Sequence, residues 1–302
     1  PPASPLLAPY LRDESASILA AYTSPDAPAA GTPQRKELVS RVEGHMFFYI
    51  HAMRLGWGSS VHAEAGGALR LMLAVQEDSD RELAQVGRMG LELCATSTHN
   101  PAVVTHLVDT AEDVHSTTDS WRVRSACLDF VREAGHTFGL HSELRGRCMA
   151  MVQEKGLLDP VPEVRQNASA SLAGFLRMAG SEHIRSIIAN APKPRRRGGK
   201  APGEGKTDEE RAGMLVRRHA KTLGLAACVL SHPTELPEWM SDAVGSLCRL
   251  QGDDTMITAV VSKTVGEFKK SHQDVWDFVK TTWSEDDLQL LSDVSGTHSY
   301  YS

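Results

Sequence analysis

Aromatic residues are scarce in this sequence, because Phe, Trp and Tyr together make up 6% of its 302 residues. Leu, Ala, Val and Met supply most of the apolar side chains instead. This composition favours α-helices over a β-sandwich, whose strands are enriched in aromatic and β-branched residues. The predicted fold class is therefore all-α.

Long apolar runs and net positive charge are also missing. No stretch of about 18 apolar residues occurs, so no membrane-spanning helix is predicted. The formal net charge is −6, which is not typical of a protein that coats nucleic acid or an anionic membrane. The five cysteines show no C-x-x-C spacing, which indicates a reducing compartment rather than a disulfide framework. We therefore expect neither nucleic acid nor a membrane as a partner.

No catalytic or metal-binding motif stands out. The sequence contains no G-x-S-x-G, no H-E-x-x-H and no Cys-His nucleophile signature. Two histidine pairs are six and five residues apart, whereas two metal ligands on one helix face are four apart. These pairs are His45 with His51 and His136 with His141. We predict no metal site and no enzymatic activity.

One short segment resembles the end of a phosphate-binding loop. It consists of Gly205, Lys206 and Thr207. The motif also needs a glycine five residues before its second glycine, where this chain has Lys200, and a preceding buried strand. Neither requirement is met, so no nucleotide cofactor is predicted.

A recurring pattern indicates helical repeats. Each copy has a β-branched residue followed, one or two turns later, by small or aliphatic residues on the same helix face. The copies begin at Val123, Val164, Val216 and Ile257, spaced 41, 52 and 41 residues apart. The first three are predicted to open helices, and the fourth is a weaker copy. A period near 40 with two helices per unit is the HEAT or armadillo spacing. The predicted architecture is a HEAT/armadillo-like α-solenoid, which typically binds other macromolecules.

Breaks rich in Gly, Pro and Asp divide the chain. Four segments are predicted: 1–33, partly irregular; 34–282, HEAT-like repeats; 283–295, a terminal helix; and 296–302, a flexible tail. Ser284 and Asp287 form a box-like start for the terminal helix. The chain begins with Pro1 instead of Met, which indicates the interior of a longer polypeptide.

An inserted loop at about residues 190–208 accounts for the longest repeat step. Its Pro, Gly and charged residues predict a mobile surface segment. The cations of interest are Lys193, Arg195, Arg196, Arg197 and Lys200. This basic run indicates a nuclear-localisation cluster or an anion-binding patch, with a solvated linker as the alternative.

The end of the chain places two tyrosines beside a terminal carboxylate. Tyr300 and Tyr301 precede Ser302, and small polar residues precede them. Aromatic rings on a mobile terminus lose water-exposed area only by docking, and a terminal carboxylate can be captured by a lysine or by backbone donors. The alternative is a frayed terminus that happens to contain tyrosines.

Several segments carry a resemblance to a known family. Their matching residues include Arg218, His219, Leu223, Gly224, Cys228, Pro237, Trp239, Met240, Phe268, His272, Trp276, Asp286, Leu288, Leu291 and Asp293. These segments are similar to the C-terminal region of the two-hundred-kilodalton proteasome activator, the bleomycin-sensitivity activator family. The resemblance covers roughly residues 119–302.

The resemblance implies an ATP-independent, non-enzymatic activator that forms a dome of HEAT-like repeats on the 20S proteasome core particle. The family's C-terminal hydrophobic–Tyr–any-residue signal corresponds here to Tyr300, Tyr301 and Ser302. In the family this tail enters a pocket between α-ring subunits, where its carboxylate pairs with a lysine and its Tyr promotes gate opening. With the basic run, the resemblance predicts a location in nucleus and cytoplasm. The alternative function is a generic HEAT-repeat scaffold or a nuclear transport or assembly adaptor.

Two further family properties concern ligands. Members recognise acetylated lysine on histones through a region with an Asn-Phe pair, where this chain has Arg177 and Met178. The sequence therefore gives no support for acetylated histones as partners. Members also bind inositol phosphates at basic openings of the dome, so an inositol phosphate is a candidate ligand, and no cofactor is required.

Overall fold

The chain is all-helical wherever its structure is described. The computed structural model describes residues 7–55, 64–97, 100–194 and 207–296. These ranges contain 14 α-helices, short 3-10 turns and one π turn, and no strand. The predicted all-α fold class is confirmed. The helices are α1 (Leu7–Thr23), α2 (Pro33–Arg54), α3 (Ala65–Ala74), α4 (Arg81–Thr96), α5 (Pro101–Thr117), α6 (Trp121–Thr137), α7 (Ser142–Met151), α8 (Pro162–Arg177), α9 (Ser181–Ala189), α10 (Asp208–Ser231), α11 (Met240–Cys248), α12 (Thr255–Ser271), α13 (Trp276–Thr282) and α14 (Glu285–Gly296).

The helices form two compact units, residues 1–151 and 152–302. In the first unit, α1 packs on α2 and α3, α4 contacts α2, α3 and α6, and α5 contacts α3 and α6. Most of these contacts join helices one or two positions apart in the chain, as in HEAT and armadillo arrays. The largest side chains of this core include Tyr49, Met46, Leu69, Met72 and Phe130, all essentially inaccessible to solvent.

The second unit is also built mainly from contacts between helices that are close in the chain. The long helix α10 is its centre and contacts α8, α9, α11 and α12, while α14 packs on α11 and α12. Phe175, Leu225 and Phe268 are buried at these contacts. Small residues on α10, such as Ala226 and Ala227, are also buried and let neighbouring backbones approach closely.

A repeated arginine contact supports the sequence repeat. Arg124, in the copy that begins at Val123, donates from Nη1 to the carbonyl oxygens five and six residues earlier, at 3.0 and 3.2 Å. Arg165, in the copy that begins at Val164, makes the same two contacts at 2.9 and 2.6 Å. In both copies the arginine side chain therefore ties the start of its helix to the preceding turn, although the copies lie in different units.

The prediction that the third copy opens a helix is wrong. Helix α10 begins at Asp208, eight residues before Val216. Thr207 caps it: its Oγ1 accepts a hydrogen bond from the Glu210 backbone at 3.2 Å, and the Glu210 carboxylate accepts one from the Thr207 backbone at 2.9 Å. This reciprocal capping box satisfies two backbone donors and starts the helix among polar residues. Val216 is only half-buried, in contrast to Val164.

The two ends of the chain also contain helices. The segment predicted to be partly irregular, residues 1–33, contains α1 and a turn at Gly31, whose φ of 83° suits glycine. Near the other end, Ser284 Oγ accepts a hydrogen bond from the Asp287 backbone at 3.2 Å, which confirms the box-like start of the terminal helix. None of the helices in the described ranges is long and apolar enough to cross a membrane.

Candidate functional site

Most of the predicted site residues fall outside the described ranges. Tyr300, Tyr301 and Ser302 follow the last described residue, Gly296. Arg195, Arg196, Arg197 and Lys200 lie between Pro194 and Thr207, also outside. The structure does describe Lys193, which is exposed at the start of the basic run.

Lys193 lies at the edge of a basic groove along α10. We define the basic groove by Lys193, Met214, Arg217, Arg218 and Lys221, which line a cavity of about 530 Å³. The four α10 residues are three or four positions apart, so they share one helix face. Lys193, Arg217 and Lys221 are exposed, and the groove therefore presents three solvent-accessible cations.

Arg218 anchors the basic groove. Its guanidinium forms an ion pair with the carboxylate of Asp253, whose side chain is 2% exposed. Its Nη2 also donates to the Lys193 carbonyl oxygen at 2.8 Å. Arg218 thus serves as a positioning residue that holds the chain near Lys193 against α10.

Both ends of the basic run are attached to α10. Arg218 binds the backbone of Lys193 before the run, and Thr207 caps the helix after it. Thr207 is the last residue of the Gly-Lys-Thr segment, and its hydroxyl accepts a hydrogen bond in this cap. Gly205 and Lys206 themselves lie outside the described residues.

The charge of the basic groove suits an anionic ligand. Lysine and arginine side chains form charge-assisted hydrogen bonds to phosphate and carboxylate oxygens, and these are stronger than neutral ones. Several cations around one concave surface also favour a ligand with several negative charges. The spacing of Arg217, Arg218 and Lys221 indicates such a face in the sequence, but only the folded chain brings Lys193 beside it.

The cysteine thiols are buried and held in their protonated form. All five cysteines are buried and free, and burial raises the pKa of four of them, Cys94, Cys148, Cys228 and Cys248, to about 12. These thiols stay protonated and are poor nucleophiles. His45 is buried and lies 2.7 Å from Ser15 Oγ. No three His, Cys, Asp or Glu side chains in the described ranges are grouped to hold a metal ion.

The terminal helix gives the tail its attachment point. Leu291 and Val294 of α14 are 1% and 2% exposed, and α14 packs on α11 and α12. Val294 lies two positions before the end of the helix at Gly296. Helix α14 is therefore packed against its neighbours as far as Val294, in its final turn.

A family model matches the last part of the chain. Residues 215–302 match the family described as "Proteasome activator complex subunit 4-like, C-terminal". A curated relative, proteasome activator subunit 4 of Arabidopsis thaliana, is 31% identical over 275 residues, which cover 87% of this chain and 14% of the relative. The human proteasome activator complex subunit 4 is 34% identical over 153 residues, covering 48% of this chain and 8% of the relative.

A zebrafish relative, proteasome activator complex subunit 4A, is 28% identical over 232 residues, or 74% of this chain and 13% of the relative. Among solved structures, a designed armadillo repeat protein in complex with a peptide covers 92% of this chain and 96% of its own at 11% identity and a TM-score of 0.31. That score is too low to add to the architecture established by the helix contacts.

The relatives are named as activator subunits, and the chain spans only 14% of the length of the Arabidopsis protein. The aligned region reaches well beyond the family match, to most of the chain. The resemblance carried by the segments after Leu215 is thereby confirmed. The chain belongs to the proteasome activator subunit 4 family and corresponds to the C-terminal region of its members.

Proposed function

We propose that this chain is the part of an ATP-independent activator that docks on the 20S proteasome core particle through Tyr300, Tyr301 and Ser302. The family match over residues 215–302 carries the proposal, because that stretch ends on a hydrophobic–Tyr–any-residue sequence. The packed helix α14 supports it, since a tail needs a fixed base to reach a partner reproducibly.

Docking uses the two tyrosine rings and the terminal carboxylate of the tripeptide. The Tyr300 and Tyr301 rings bury apolar area in a pocket between α-ring subunits, and the Ser302 carboxylate pairs with a lysine of that pocket. A hydrogen bond to a charged group contributes roughly 1.5–3 kcal/mol. The tail binds the open-gate state more tightly than the closed state, so it shifts the population toward the open gate without ATP.

Truncation of the tail tests this mechanism. We expect deletion of residues 300–302, or Tyr301→Ala, to abolish stimulation of peptide hydrolysis by the core particle, with helical content unchanged by circular dichroism. Tyr10→Ala is the matched control, because Tyr10 is 61% exposed on α1 in the other unit. Full stimulation by both tail variants of the full-length protein would refute the proposed docking.

The alternative function is a generic HEAT-repeat scaffold or transport adaptor. A scaffold needs no free terminus, so extra residues after Ser302 leave it active. The activator requires a carboxylate at that position, and an added residue replaces it with an amide. We expect a short C-terminal extension to abolish stimulation, and an extended protein that still stimulates hydrolysis would favour the scaffold.

We also propose that the basic groove binds an inositol phosphate. Lys193, Arg217 and Lys221 converge on one cavity, and the basic run continues from Lys193. A ligand with several phosphates would engage several of these cations together, which favours it over a single phosphate.

The same run supports a proposed distribution between nucleus and cytoplasm. Three consecutive arginines, Arg195, Arg196 and Arg197, are typical of a nuclear-localisation cluster. We expect replacement of all three by alanine to move a fluorescently tagged protein to the cytoplasm. An unchanged nuclear fraction would show that the run has another role.

A further inference from the structure

Helix α14 meets α11 at a point that has no room for a side chain. A Cβ atom on Gly245 of α11 would lie 2.7 Å from Oδ1 of Asp287 on α14. Separations under about 3.0 Å do not occur for real Cβ atoms. The absence of a side chain at position 245 therefore leaves room for the Asp287 carboxylate in its observed position.

Two further polar contacts hold the Asp287 carboxylate at this place. Its Oδ2 accepts a hydrogen bond from the Ser284 hydroxyl at 2.7 Å, and its Oδ1 lies 3.6 Å from Nη2 of Arg249, just after α11. The same residue's backbone N–H donates to Ser284 Oγ. Asp287 thus joins the N-terminal cap of α14 to the end of α11.

The contact continues along one face of α14. Asp287, Leu291 and Val294 are separated by four and three residues, which places them on the same face. Leu291 and Val294 are buried, so this face packs as far as Val294. A displacement of the first turn at Asp287 consequently tilts the helix as one body.

We propose that the Gly245–Asp287 contact is a positioning device for the C-terminal tail. The inference rests on the proposed docking of Tyr300, Tyr301 and Ser302. The two residues do not touch the core particle in this proposal. They set the direction of α14 and, through it, the place from which the tail starts.

The short length of the tail makes this direction important. Six residues follow the end of α14 at Gly296, and an extended chain of that length reaches at most about 22 Å. Linked binding is strongest when the linker length matches the span between the sites, and it is lost when the linker cannot reach. A tilt of α14 therefore lowers the effective concentration of the tail at its pocket.

Three variants of the full-length protein test the contact. We expect Gly245→Ala to weaken the apparent affinity for the core particle about tenfold, because the added methyl group displaces the Asp287 carboxylate. Asp287→Ala removes the attachment and should cause a smaller loss. In the double variant Gly245→Ala/Asp287→Ala the steric conflict is gone, so its affinity should equal that of Asp287→Ala alone.

An insertion distinguishes an effect of the direction of α14 from a general loss of stability. Four flexible residues, Gly-Ser-Gly-Ser, placed between Gly296 and Thr297 relax the dependence on helix direction. In that background Gly245→Ala should have no further effect on affinity. An equal loss with and without the insertion, or no loss at all from Gly245→Ala, would overturn the positioning role.

Failure of the docking proposal itself has a different signature. If deletion of residues 300–302 leaves stimulation intact, the tail is not the docking element. If that deletion abolishes stimulation but Gly245→Ala does not change affinity, docking stands and the positioning role alone is refuted.

Discussion

The Nε of Arg165 donates a hydrogen bond to Nδ1 of His219 at 2.9 Å. Both side chains are buried, at 3% and 0% exposure, and they join α8 to α10 in the second unit. The contact requires the His219 proton to lie on Nε2, which has no hydrogen-bond partner in the described ranges. Burial and then the Arg165 charge lower the pKa of His219 to about 4.

This depressed pKa makes the unfolding free energy depend on pH. The unfolded His219 binds a proton with a pKa of about 6.5, whereas the folded one does so only near 4. The unfolded state therefore binds more protons between these values, and stability falls as pH falls through this window. We expect His219 to account for a loss of about 2 kcal/mol between pH 7 and pH 5.

Chemical denaturation at both pH values measures this loss. In His219→Asn the side-chain oxygen can still accept from Arg165 but does not titrate, so the variant should lose about 2 kcal/mol less on acidification. His51→Asn, at an exposed position of α2, is the matched control and should behave as the wild type. An identical pH dependence of wild type and His219→Asn would contradict the assignment.

Replacement of two helical glycines by alanine should change the stability of the protein in opposite directions. A Cβ on Gly87 would lie 2.9 Å from the Met72 carbonyl oxygen and would also meet Val75, whereas Gly146 has nothing within 4 Å. We expect Gly87→Ala to destabilise the protein by about 1–3 kcal/mol through overpacking. Gly146→Ala should stabilise it by about 0.4–1 kcal/mol, because alanine restricts the unfolded chain. Thermal unfolding measures the stability of both variants. Equal changes in their melting temperatures would show that the Gly87 contact does not limit the size of the side chain.

The capping box at Thr207 predicts a local stability effect. Thr207→Ala removes the acceptor for the Glu210 backbone N–H and should cost about 1 kcal/mol. Thr207→Ser keeps the hydroxyl and should retain most of the wild-type stability. Hydrogen exchange at the start of α10 measures the difference. Similar exchange in both variants would show that other contacts begin the helix.

Binding of inositol hexakisphosphate tests the basic groove. Arg217→Glu/Lys221→Glu reverses two exposed charges on one face of α10, and we expect calorimetry to show at least about tenfold weaker binding. The control Lys36→Glu/Arg81→Glu makes the same change in net charge at exposed positions of the first unit. Equal losses from both pairs would mean that binding depends on net charge and not on the groove.

The fold class could be predicted from composition and periodicity because both act locally. A stripe of Val, Ala and Leu at helical spacing selects a helix wherever it occurs, and Val123, Val164 and Ile257 are buried as expected. The third helix start was wrongly placed at Val216, because the first four residues of α10, 208–211, are charged and carry no apolar stripe. The capping box of Thr207 and Glu210 nevertheless starts the helix at these residues, because it satisfies two backbone donors.

The candidate site could be predicted only in part. The basic run and the terminal tripeptide are visible as sequence because their residues are adjacent. The groove was missed because Lys193 joins Arg217 and Lys221 only through the Arg218 contact across 25 residues. Gly245 and Asp287 carry no motif either, since neither residue is unusual until the helices that contain them pack together.

The sequence by itself determined the helices, their repeat and the chemistry of the chain's last three residues, because these depend on side chains that are near one another in the chain. The tertiary structure decided which distant residues meet: Arg165 with His219, Arg218 with Asp253, and Gly245 with Asp287. Helix packing alone sets these distances, because the burial of apolar faces fixes each helix against its neighbours. The polar and glycine contacts then depend on that arrangement.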